Sequence, residues 1–312
     1  MKNIVLILLV GLTLSSCFKT RRSDAVGEKM QEFIIGISAY ARGYDADFII
    51  IPQNGSELMY SYLTREDGFK PEMVTAIDGF GIEELFYDNT YQIDEERLGF
   101  LREIVLQKTV MVSEYVGSAS DIPNALAVNE AEGFLCFPRS SDNYDYTKIP
   151  DTVYYENTND IIKLSDAKNY LYLISNADYS TKQDFLDAIA ATNFDVVLID
   201  LFFEDTPFTA AEINSLKTKA NGGQRLVISY ISIGSAENYR YYWQEDWKLH
   251  NPNWLKKEYD GYEDEIWVKF WKQEWQDIIF GNDNSYIKKI LNAGFDGAYL
   301  DNVEAYYFLY FD

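Results

Sequence analysis

One histidine, His250, stands among 312 residues, beside two cysteines, Cys17 and Cys136. A single imidazole leaves almost no material for Ser-His-Asp catalysis or for a His-rich zinc site. Once Cys17 is modified as set out below, one thiol remains, which excludes an internal disulfide and a Cys-rich metal site. Cations are scarce as well: 27 Lys and Arg face 50 Asp and Glu, a formal charge of −23. Such a balance speaks against nucleic acid as a partner, because phosphates need Lys and Arg. No Gly-rich phosphate loop follows any candidate strand, which argues against a nucleotide site and a phosphate-binding barrel enzyme. Carboxylates are what is left for acid–base work. The charge serves solubility, and it would also attract a cationic ligand such as a deacetylated amino sugar. No cofactor and no metal is expected.

The first residues read MKNIVLILLVGLTLSSC. Lys2 supplies a positive start, and the apolar run 4–14 is too short to span a bilayer as a mature helix. Residues 14–17 (LSSC) fit a lipobox, in which Cys17 is acylated and becomes the new N-terminus. The expectation is a signal peptide over 1–16, a lipidated tether over 17–27 and one folded domain over 28–312. Loss of Lys2 with the signal peptide takes the charge from −23 to −24. Anionic headgroups would repel so acidic a chain, so the acyl group on Cys17 must hold it at the membrane. Phe18 is not the Asp that retains lipoproteins in an inner membrane, which points to the outer membrane of a two-membrane bacterium.

From residue 28 onward, helical patterns alternate with short apolar strands, the signature of βαβ units and a parallel sheet. Candidate strands lie at 48–51, 76–80, 109–113, 170–175, 196–200, 226–232, 267–270 and 297–301. Helical spacing covers 28–44, 57–63, 95–107, 181–192, 209–221 and 284–293. Residues 138–168 are polar and read as a long surface connection around one extended stretch at 152–155. Eight strands with interleaved helices predict a closed (β/α)8 TIM barrel, with an open doubly wound sheet as the structural alternative.

The strand ends are polar. Asn54, Glu83 and Glu84, Glu114, Asn176, Asp200, Ser235 and Glu237, and Asp301, Asn302 and Glu304 each follow a candidate strand. In a barrel these ends share one face, where loops build the site. Any one of them could be a cap or a solvated side chain, but carboxylates after five strands ask for more. Two carboxylates with little else nearby suggest glycoside hydrolysis, one protonating the leaving oxygen and the other attacking the anomeric carbon or activating water. Aromatics reach 16%, with 25 Tyr and 6 Trp. Trp243, Trp247 and Trp254 could form a wall for stacking sugars, or pack as core or lid.

Several motifs make the reading more specific. Residues 294–306 (GFDGAYLDNVEAY), 227–240 (VISYISIGSAENYR), 200–202 (DLF) and 267–276 (WVKFWKQEWQ) together resemble glycoside hydrolase family 114, the endo-α-1,4-polygalactosaminidase type. Residues 51–55 (IPQNG), 78–87 (DGFGIEELFY) and 114–115 (EY) resemble pieces that follow those motifs in the family but precede them here. The resemblance therefore implies a circularly permuted barrel, with helix 28–44 supplying the last helix and residues 306–312 lying near residue 28. It implies Asp301 as nucleophile and Glu83 as general acid/base, with Glu84 the competing choice for the second role. Asp200, Glu237, Asn54 and Glu114 would line the subsites, joined by Asn302 and Tyr230 from the same motifs. Lys269 would stay buried against a carboxylate. The family's bacterial branch carries Glu where Ser235 stands, so one subsite acid is missing. The expected substrate is an α-linked amino-sugar polysaccharide, cleaved by a monomer. The alternative is a catalytically silent glycan-binding lipoprotein on the same scaffold. Crowding by Asp200 and Glu237 should raise one acid of the pair, expected to be Glu83, with Asp301 ionised.

Overall fold

A strand buried on both faces of a parallel sheet needs an unbroken apolar run. VVLID and LVISYIS come close, interrupted only by Asp200, Ser229 and Ser232, and every residue of both is buried. The computed structural model describes the backbone of residues 2–311 and side chains of residues 22–311. The lipidation expected at Cys17 lies outside the described side chains.

The strands are β1 (Ile49–Pro52), β2 (Gly79–Tyr91), β3 (Thr109–Val116), β4 (Leu135–Ser140), β5 (Tyr170–Tyr172), β6 (Val196–Asp200), β7 (Phe202–Phe203), β8 (Thr206–Pro207), β9 (Leu226–Ser232), β10 (Ser235–Glu237), β11 (Leu255–Tyr259), β12 (Tyr262–Val268) and β13 (Gly297–Asp301). The helices are α1 (Lys2–Arg42), α2 (Pro71–Ala76), α3 (Glu95–Ile104), α4 (Ile122–Glu132), α5 (Lys182–Ala190), α6 (Ala210–Leu216), α7 (Gln273–Ile279), α8 (Tyr286–Ala293) and α9 (Ala305–Phe308). Their ends carry the expected chemistry. Thr209 and Glu212 form a capping box at α6, and Asp94 caps α3 by accepting from the Arg97 amide. α8 buries Tyr286, Ile287, Ile290 and Ala293 along one stripe.

The result is a mixed α/β domain built on parallel sheets. One sheet runs β1-β13-β9-β6-β5 and the other β2-β3-β4, all parallel. They meet where β1 and β2 run side by side: the Asp78 amide donates to the Ile50 carbonyl and the Asn54 amide to the Gly81 carbonyl, each at 2.9 Å. A Cβ at Gly81 would fall 2.0 Å from the Tyr299 hydroxyl, so glycine there is what lets that ring cross the interior. A small antiparallel sheet, β10-β12-β11, stands over the end of β9.

Four expectations change. Residues 267–270 are not a parallel strand. Trp267 and Val268 end β12, which pairs antiparallel with β10 and, through the Asp260-Gly261 turn, with β11, Gly261 having φ 86°. The eighth parallel strand is β4, hidden in the sequence because Pro138 and Arg139 break its apolar pattern, although Arg139 is buried. Residues 152–155 form no strand, and of the connection after β4 residues 144–146 lie at the strand ends beside Asn54 and Glu83. The expected tether is also helical over its described part: residues 22–27 belong to α1, and Ser23 and Val26 are buried. The Ser23 hydroxyl donates to the Tyr306 carbonyl at 3.2 Å, which sets residue 23 beside α9.

Candidate active site

The segments that follow the parallel strands surround a cleft of about 760 Å³. Asn54, Glu83, Glu84, Asp200, Tyr230, Glu237, Asp301 and Asn302 all line it. Glu114 does not. Its carboxylate is fully buried behind β2, accepting from the Phe86 and Tyr87 amides and from Asn129 Nδ2 at 2.8 Å. Glu114 is thus a brace for the backbone after Glu84, not a subsite residue, and burial pushes its carboxyl up.

Backbone geometry aims several of these groups. Asn54, Glu84 and Asn302 sit at φ 62°, 55° and 61°, a left-handed conformation that costs a non-glycine residue about 1 kcal/mol or more. The Arg97 guanidinium holds the turn at Glu84 by donating to the carbonyls of Glu83 and Glu84, both at 2.7 Å. At Gly234 a Cβ would fall 1.8 Å from the Asn302 carbonyl oxygen, so only glycine lets the ends of β9 and β13 come together. Asn302 then reaches Ser232 and Ser235 with its amide at 2.9 and 3.0 Å.

Asp301 is held on both oxygens. The Tyr230 hydroxyl donates to Oδ2 at 2.6 Å and the Asn302 amide to Oδ1 at 2.7 Å. Burial and the nearby Glu83 charge nevertheless push its carboxyl up to about 7. The expectation gave the raised value to Glu83 and the ionised state to Asp301; a raised value falls on Asp301, through burial first and the Glu83 charge second. Glu83 accepts from the Tyr146 hydroxyl. Glu84 pairs with Arg139 at 2.7 Å, and its carboxyl is raised by burial, which the guanidinium only partly offsets.

Asp200 and Glu237 are not free acids. Arg240 grips Asp200 through both terminal nitrogens at 3.0 and 2.7 Å, and Glu237 through Nε at 2.7 Å. Both pairs are nearly buried, a geometry in which removing one partner is costly. Arg240 therefore builds a wall, a role its position three residues after Glu237 could have signalled.

Further acids line the cleft, Glu265 and Glu304 among them. Glu265 lies across the strand pair from Glu237, accepts from the Ser235 hydroxyl, and is pushed up to about 8 by burial and by Glu237. A carboxyl thus meets Ser235 after all, reaching it from β12, an element the sequence pattern did not reveal. Burial and Glu57 also raise Glu304 to about 8.

The aromatic lining is mostly tyrosine, with Tyr144, Tyr146, Tyr172, Tyr239, Tyr259 and Tyr262 on the cleft beside Phe202 and Phe308. The tryptophans pack instead: Trp243, Trp247, Trp254 and Trp275 form a chain of ring contacts 4.9–5.5 Å apart, away from it. Lys269 donates to the Asn253 carbonyl at 2.8 Å rather than pairing with a carboxylate.

Residues 155–309 match the model of glycoside-hydrolase family GH114. That half of the chain is GH114-like. The matched segment carries Asp200, Tyr230, Glu237, Asp301 and Asn302; Asn54, Glu83 and Glu84 precede it. An uncharacterized protein of Methanocaldococcus jannaschii is 39% identical over 156 residues, covering 48% of this chain and 41% of its own length. Uncharacterized proteins of Thermotoga maritima and Deinococcus radiodurans are 30% and 37% identical, over 44% and 40% of this chain and 39% and 38% of their own lengths. The chain thus spans about two fifths of the length of these curated relatives. The GH114-like segment supplies one side of the cleft, and Glu83, from the preceding segment, faces its Asp301.

Proposed function

We propose that the protein is a glycoside hydrolase that cleaves an α-linked amino-sugar polysaccharide with Asp301 and Glu83 as its reacting carboxyls. The observation that carries this is the meeting of the two across one cleft from strands 218 positions apart (301 − 83), close enough for the Glu83 charge to raise Asp301. The raised member is the natural donor, so Asp301 protonates the leaving oxygen and Glu83 serves as the charged partner. This reverses the roles that the family resemblance implied.

The substrate class follows from charge. Eleven Asp and Glu side chains and two Arg line the cleft, and both Arg are already paired with carboxylates. A polymer bearing ammonium groups is the complement of that surface. The GH114-like segment supports hydrolysis, and the tyrosines supply faces for sugar rings.

The scaffold belongs to the same proposal. The eight parallel strands, taken β1-β2-β3-β4-β5-β6-β9-β13, would close into a (β/α)8 barrel, with β4 packing beside β5. Permutation is supported by the matched segment starting at residue 155, behind Asn54 and Glu83, and by the contact of Ser23 with Tyr306. Acylation of Cys17 would tether the domain to an outer membrane. Reducing ends released from an α-1,4-linked galactosamine polymer, and fewer from its N-acetylated form, would support the activity. No release from any amino-sugar polymer would leave the silent glycan-binding alternative.

A further inference from the structure

Tyr146 comes from the connection after β4, a segment whose composition reads as solvent-facing loop. Its ring is nonetheless buried, and its backbone sits at φ 54°. A tyrosine stays in that sparsely populated conformation only where its surroundings fix it. They do so here from both faces. Tyr172 stacks on the ring at 3.9 Å between centroids and 23° between planes, and the Arg139 guanidinium lies 4.6 Å from the centroid.

The hydroxyl is fixed as well. A guanidinium has donors only. Arg139 Nη1 donates to Ser113 Oγ at 3.0 Å, which uses a lone pair of that hydroxyl. Ser113 Oγ and Tyr146 Oη are 3.0 Å apart, and Tyr146 Oη also contacts Glu83 Oε1. With Arg139 donating at one end, the order that satisfies every atom runs one way: Ser113 donates to Tyr146, and Tyr146 donates to Glu83. Ser113, Arg139 and Tyr146 are all at least nine-tenths buried, so water competes little for these bonds.

We infer that Tyr146 is the positioning residue of Glu83, the last link of a one-way chain from Arg139 through Ser113 that orients Glu83 and keeps it an acceptor. The inference rests on the reading of Glu83 as one of the two reacting carboxyls. It explains why the roles divide as proposed. The chain delivers a donor to Glu83, while burial holds the proton on Asp301. Other groups also face Glu83. Asp301 and Tyr299 approach from β13, and Glu304 from just after it. Arg139 approaches from β4, Tyr172 from β5 and Tyr262 from β12. All of these side chains remain in place in Tyr146→Phe.

The test uses Tyr146→Phe, which keeps the ring, its stack and the guanidinium contact, and Ser113→Ala, which cuts the chain one link earlier. Both are made in the Asp301→Asn background, so that Asp301 no longer titrates with its neighbour. The protein carries carboxyl-13C glutamate, and the Glu83 signal is the one lost in Glu83→Gln. Losing a donor to the charged form should move the Glu83 midpoint up by about one pH unit in Tyr146→Phe, and by less in Ser113→Ala. An unmoved midpoint in folded Tyr146→Phe overturns the inference. With Asp301 intact, Tyr146→Phe should lower kcat about 10- to 100-fold, leave KM within about twofold, and shift the acid limb of kcat/KM upward. A lower kcat with an unmoved limb overturns it too. A shifted midpoint in a protein that cleaves no glycan upholds the chain and removes the hydrolase reading instead.

Discussion

Replacing Asp301 by Asn should stabilise the fold, and more so as pH rises. The folded protein holds the Asp301 proton up to about pH 7, against an ordinary aspartate value of 3.8. Between those values the folded state binds a proton that the unfolded chain has released, so stability is lost as pH rises through that window. For a single site the penalty at pH 5 is about 1.7 kcal/mol and at pH 9 about 4.4 kcal/mol, at 1.36 kcal/mol per unit. The difference, about 2.7 kcal/mol, is an upper figure. Asp301 opens onto the cleft, and water screens part of it, leaving about 1–2 kcal/mol. Asparagine keeps the shape: its oxygen can accept from the Asn302 amide and its NH2 can donate to the Tyr230 hydroxyl. For a domain of this size, about 2 °C corresponds to 1 kcal/mol. Melting followed by circular dichroism at pH 5, 7 and 9 should therefore show the Asn variant gaining about 2–4 °C more over the wild type at pH 9 than at pH 5. An advantage that does not change with pH would refute the electrostatic account of this site.

Other expected outcomes follow from the same contacts. Arg240→Met leaves the Asp200 and Glu237 carboxylates buried without their cation, so denaturant midpoints should report a loss of about 3–5 kcal/mol, smaller at low pH. Glu114→Ala should lower stability by about 1–3 kcal/mol by orphaning the Phe86 and Tyr87 amides, with KM for any cleaved glycan unchanged. Trp247→Phe should leave glycan affinity within twofold, whereas Tyr262→Ala should weaken it, as titration calorimetry would show. Cys17→Ser should move the protein from the membrane fraction to the soluble fraction.

How far the sequence reached depends on the kind of signal. Mostly apolar runs such as 196–200 and 226–232 announced parallel strands, because burial on both faces favours that composition. β4 stayed hidden because Pro138 and Arg139 interrupt its pattern, and Arg139 earns its burial through Glu84, Ser113 and Tyr146, which no local window contains. The strand-end acids were legible as a set, since every parallel strand presents its end to one face. What each acid does was not. Arg240 neutralises Asp200 and Glu237, Glu114 turns inward, and Glu265 arrives on a hairpin read as a parallel strand. The sequence left Trp243, Trp247 and Trp254 as either a stacking wall or packing, and they pack, because large rings serve packing as readily as sugars.

The central claim is that Asp301 and Glu83 do the chemistry together. The most direct measurement is kcat/KM on an α-1,4-linked galactosamine polymer for the wild type, Asp301→Asn and Glu83→Gln, each shown to be folded by its melting curve. The account predicts a loss of at least about a thousandfold in both variants, with the Asn variant melting no lower than the wild type. Wild-type turnover in both variants would contradict it.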